Sequence, residues 1–170
     1  DLTEGHVLWL EGVRELPGLG LIFLAALTMR LPLMRQATLA LFLMGVGYFV
    51  HAFVGSYSAL LLAVVAGSFG FHLWAPLNSA IGLALSNKQN AGYVLGALGS
   101  VGSLAGIAGM GAISLISGLL PEMPLTTYYV VGGLVIVVSS LMLYLLPKHL
   151  GTTEVEPSRI LIKGRYWRYY

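Results

Sequence analysis

Glu11, Arg14 and Glu15 stand at i, i+3 and i, i+4 spacing, which on a helix gathers two carboxylates around one guanidinium. Buried in a membrane, such a cluster takes up a proton or contacts a solute. At the outer interface it is a solvated helix end, and the seven polar or charged residues among the first fifteen favour that second reading. A further group lies inside a long apolar run. There Trp74 and Asn78 are i, i+4 neighbours, while His72 shares a different face with Ser68 and Ser79. A polar side chain left unpaired in hydrocarbon is costly, so His72, Trp74 and Asn78 join Glu11 and Arg14 as candidates to line a solute cavity. The alternative is structural: His72 and Asn78 hydrogen-bond to neighbouring helices and Trp74 fills volume. Pro76 would loosen this helix locally. His51, beyond Tyr48 near a helix end, reads as an interfacial histidine rather than a ligand.

Other chemistries find no support. The HExxH, GxSxG and GxxxxGK patterns do not occur, and the four histidines, at 6, 51, 72 and 149, do not cluster. There is no cysteine, hence no disulfide and no thiolate metal site. Gly45-Val-Gly47 and Gly109-Met-Gly111 begin like a dinucleotide fingerprint but lack its third glycine and any strand before it, so these glycines serve packing. The expectation is a protein that is not an enzyme, with no cofactor, no metal and no nucleic-acid partner; a net charge of +2 gives no basic patch.

The elements that must position these residues follow from composition. Of 170 residues, 57% are hydrophobic and 9% charged, against about a quarter charged in water-soluble proteins. The chain is therefore expected to be an all-α, polytopic transmembrane bundle whose first partner is the lipid bilayer. An external segment, 1–6, precedes five spans at about 7–31, 36–54, 57–85, 91–119 and 126–146. The stretch 36–54 carries no charge and, at about 1.5 Å per residue, is long enough for a hydrocarbon core of roughly 30 Å. Residues 147–165 read as a cytoplasmic linker and 166–170 as the start of a truncated next helix. Connections alternate between the two sides. One side holds Arg30, Arg35, Lys88 and Lys148, the other only Arg14 with several carboxylates, so the first is read as cytoplasmic and the amino end as external. Arg30, Arg35 and Lys88 then anchor the cytoplasmic loops. The first residues, Asp1-Leu2-Thr3-Glu4, carry no signal-peptide pattern, and a chain starting outside is expected to lack an earlier crossing.

The stretch 91–118 is uncharged and rich in glycine, although each helical glycine costs roughly 1 kcal/mol against alanine. At about 100° per residue Gly92, Gly96, Gly99, Ser103 and Gly106 share one face, and Gly102, Ala105 and Gly109 form a second stripe beside it. Small stripes let membrane helices approach closely. This helix is therefore expected to pack on more than one side, and leucine at Gly96 or Gly106 to disrupt the fold more than alanine.

Three stretches then bear on family: Gly67-Ser-Phe-Gly-Phe-His-Leu-Trp-Ala-Pro76, Lys88-Gln-Asn-Ala-Gly92, and Ser100-Val-Gly102-Ser103 within the small-residue helix. Together they resemble the fourth helix, the four-five loop and the fifth helix of the major facilitator superfamily (MFS) of transporters. The likeness extends over essentially the whole chain, as helices two to six of an amino-terminal half lacking the first helix. Two departures stand out. The loop after helix two keeps Arg30 and Arg35 without the family's Gly and Asp, and Ile107 occupies the proline position of the antiporter motif on the fifth helix. The resemblance implies alternating access in a plasma (bacterial inner) membrane. It also implies an unknown small solute, and as partners the missing first helix and the carboxy-terminal half. It implies further that 57–85 faces the cavity and 91–119 the opposite half. A different class of function remains open: a non-transporting membrane scaffold or assembly subunit that packs through its glycine-rich helix.

Overall fold

The computed structural model describes residues 3–147 and 149–150, and among these it is all helical. In chain order the helices are α1 (Glu4–Leu19), α2 (Leu21–Thr28), α3 (Leu33–His51), α4 (Tyr57–Ala84), α5 (Ala91–Leu119) and α6 (Leu125–Leu145). The last four are long and apolar enough to cross a membrane, which marks the chain as an integral membrane protein. Apart from 147 and 149–150, the expected linker lies outside the described residues, as does the expected helix start at 166–170.

Local chemistry sets most of the ends. Thr3 caps α1 in a reciprocal box: its hydroxyl accepts from the His6 amide at 3.3 Å, and His6 Nδ1 accepts from the Thr3 amide at 3.2 Å. Ser56 caps α4 by accepting from the Ala59 amide. Asn87 and Asn90 close the turn before α5, the Asn87 side chain accepting from the Gln89 and Asn90 amides at 2.9 and 3.0 Å. Prolines 32 and 124 stand immediately before α3 and α6, where the missing N–H costs nothing.

The expected single span 7–31 is two helices. Pro17 in the last turn of α1 can donate no hydrogen bond, and Gly20 (φ −82°, ψ 1°) separates α1 from α2. The pair still runs the length of α4 and parallel to it. His6 meets Tyr57, Arg14 meets Ser68, Gly18 meets His72, and Leu21 and Leu24 of α2 pack on the cluster of Ala40, Leu73 and Leu77.

Close packing centres on α3, which runs antiparallel to both α4 and α6. Gly45 and Gly47 point about 200° apart on this helix. A Cβ at Gly45 would lie 2.8 Å from Val137 Cγ2 and 3.0 Å from the Gly133 carbonyl of α6, whereas one at Gly47 would strike the Gly67 backbone of α4. Gly70 is seated likewise against the backbone of Ala40 and Met44, and Gly133 against Phe49. Ser140, fully buried on α6, turns its hydroxyl back to the Val137 carbonyl at 2.8 Å, so no polar cost is left at this interface.

The expectation for α5 is corrected. No residue of this helix is buried, and a Cβ built at Gly92, Gly96, Gly99, Gly102, Gly106 or Gly109 meets nothing within 4 Å among the described residues. Ser103 is exposed as well. The reason is that α5 touches the bundle at its ends. Leu95 and Leu98 reach over Gly82 of α4, and Ser117 shares a 3.0 Å hydrogen bond with Tyr128 of α6. Between these end contacts the small stripes meet no other helix among the described residues. Within this chain, then, leucine at Gly96 or Gly106 has open space, and the disruption expected there does not follow.

Candidate functional site

Around the middle of α1 the packing leaves a cavity of about 480 Å³, walled by four helices. From α1 come Leu10, Glu11, Arg14 and Glu15; from α3, Tyr48 and His51; from α4, Ser68, Phe71 and His72; from α6, Tyr129. It lies toward the end of the bundle where α4 and α6 begin and α3 ends. It extends to His72, about 22 Å of helix rise from Tyr57 at the start of α4.

Each wall has a local cause. On α1 the i, i+3 spacing brings Arg14 Nη2 to 2.8 Å from Glu11 Oε2, and Arg14 Nε lies 3.2 Å from Glu15 Oε1. The other Glu15 oxygen faces His72 Nε2 of α4 at 3.6 Å. That approach exists because residue 18 is glycine: a Cβ there would lie 2.9 Å from the His72 ring. The Ser68 hydroxyl donates to the Arg14 carbonyl, fastening α1 to α4 one turn away. Opposite, the His51 ring stacks on Tyr129 with centroids 5.3 Å apart and an interplanar angle of 16°, and Tyr48 stands 6.0 Å from His51.

The electrostatics are simple. Two carboxylates flank one guanidinium, so with neutral histidines the cavity carries one net negative charge. Arg14 directs Nε and both terminal nitrogens at those carboxylates. The Glu11, Arg14 and Glu15 side chains are 52%, 52% and 59% exposed, so they are not a buried cluster: they stand at the open side of the recess. His72 is the sheltered member, at 19%.

Of the residues singled out in the sequence, Glu11, Arg14 and His72 meet in this recess. Trp74 and Asn78 do not. Trp74 packs on the Ala40, Leu73 and Leu77 cluster, filling volume between α2, α3 and α4, and Asn78 is half-buried one turn further along. Arg30 and Lys88 are exposed at the far end of the bundle. Arg35, at that same end, does more than face water: its guanidinium lies 3.8 Å over the Tyr144 ring and donates to the Tyr144 carbonyl at 2.7 Å, joining α3 to α6. The cavity also includes residues that sequence reasoning assigned elsewhere or passed over. His51, the last residue of α3, is also a wall of the recess, and Tyr129 was passed over. No protein-family model, curated protein or solved structure matches the chain.

Proposed function

We propose that the chain is part of a secondary active transporter of the major facilitator type, a permease or efflux protein. In this reading it forms five crossings of the amino-terminal half, with α1 and α2 together making one broken span, and carries a small solute by alternating access. The observation that supports this most is the recess itself. Three charged residues of α1 share one recess with histidine and aromatic side chains of α3, α4 and α6, and ionisable groups gathered in a membrane bundle are kept where a solute or ion passes. In this reading Arg30, Arg35 and Lys88 lie on the cytoplasmic side of a plasma membrane and the recess opens outward.

Topology labelling tests it in this cysteine-free background. Cysteine at Gln89 should react with a membrane-impermeant maleimide only from the cytoplasm, and cysteine at Glu122 only from outside. Cysteine at Ser68 should be reached from one side in one state of the whole transporter and from the other side in the alternate state. Access to Ser68 from a single side under all conditions would refute alternating access.

The second reading is a membrane scaffold or assembly subunit that transports nothing. It is favoured by the two open small-residue faces of α5, which no helix among the described residues covers.

A further inference from the structure

The recess is asymmetric in charge and in shape. Arg14 turns Nε and both terminal nitrogens to Glu11 and Glu15, so an organic anion would compete with two carboxylates for it. Glu15 Oε2, by contrast, faces His72 Nε2 at 3.6 Å, beyond hydrogen-bonding distance. Tyr48, Phe71 and Tyr129 line the same recess, and aromatic ring faces attract positive charge. The volume of about 480 Å³ sits within the usual range for small-molecule pockets. Among the described residues no three His, Asp or Glu side chains converge as metal ligands do. We propose that it binds a monovalent organic cation with an aromatic or branched apolar body. The cationic centre is seated at Glu15 and the body lies against Tyr48, Phe71 and Tyr129. The inference rests on the transporter reading in that it names the class of solute carried.

The test is calorimetric titration of the full chain in nonionic detergent with benzyltrimethylammonium. Saturable binding at one site per chain is expected. Neopentylbenzene, its uncharged isostere, and 3-phenylpropionate, an anion of similar size, should not compete. Glu15→Gln should weaken binding about tenfold, the value of one charge-assisted contact. Glu122→Gln, in the turn between α5 and α6, should leave it unchanged. If Glu15→Gln loses helical structure, Tyr129→Leu supplies the same test, with a loss of about threefold or more. No binding, equal binding by Glu15→Gln, or equal competition by 3-phenylpropionate would overturn the inference. Cation binding by a whole protein that transports nothing would refute the transporter reading alone. Transport of another solute without cation binding would refute this inference alone.

Discussion

Gly132 and Gly133 are adjacent in α6, and only the second meets another backbone. A Cβ at Gly133 would lie 2.5 Å from the Phe49 nitrogen and 2.7 Å from its Cα and Cβ, whereas one at Gly132 meets nothing within 4 Å. Carbon atoms in contact rest about 3.5–4.0 Å apart, so alanine at 133 forces α3 and α6 apart by roughly 1 Å. That distance gives up a quarter to a half of each dispersion contact along the seam. Overpacking of this kind costs about 1–3 kcal/mol. Both substitutions share the same gain in helix propensity, about 0.5–1 kcal/mol, so the difference between the two variants isolates the clash. We expect Gly132→Ala to match or exceed the original in stability and Gly133→Ala to fall below Gly132→Ala by about 1–3 kcal/mol. For a chain of this size that is roughly 2–12 °C in unfolding midpoint. The assay is loss of helical ellipticity on heating, in one detergent and at one scan rate, because membrane proteins unfold irreversibly. Equal midpoints for the two alanine variants would refute the account of α3 and α6 as helices in backbone contact.

Two further expectations concern the ends of the bundle and the histidine in the recess. Arg35→Ala removes both a charge-assisted hydrogen bond and a ring contact to Tyr144, and should cost about 1–2 kcal/mol in the same assay; full stability of that variant would mean the contact is an idle surface pair. Gly18→Ala should push the His72 ring away from Glu15 and raise its rate of modification by diethylpyrocarbonate several-fold, as mapped by mass spectrometry, and an unchanged rate would show that the ring is not held by that glycine.

Much of the helical frame was legible because its punctuation is local. The stretch expected at 91–119 is α5 residue for residue, since the Asn87 to Asn90 turn and Pro121 bound it. The start of α3 was placed three residues late. An apolarity criterion excludes Arg35, yet Pro32 opens the helix before it and Tyr144 receives its charge. The break in the first span was hinted at by Pro17-Gly18, but whether such a pair bends a helix or ends it depends on tertiary contacts. For the recess, the spacing of Glu11, Arg14 and Glu15 was readable because it is intrahelical. The approach of His72 to Glu15 and of His51 to Tyr129 was not, because each joins helices far apart in sequence. The glycines misled for a related reason. A stripe on α5 was conspicuous, while the tight contacts use isolated glycines on three helices whose partners only the fold reveals.

The two glycines of α3 also have a mechanical meaning. Backbone seated against backbone on both flanks makes α3, α4 and α6 a single stiff plate, because sliding any one of them drives a main chain into its neighbour. The fourth wall of the recess is attached differently. α1 holds to the plate by side-chain latches, Tyr57 donating to the His6 carbonyl at 2.8 Å and Ser68 to that of Arg14, and it ends at the Gly20 joint. Widening the recess therefore calls for α1 to lever outward about that joint while the plate stays whole, and the two hydroxyls set the threshold for that movement.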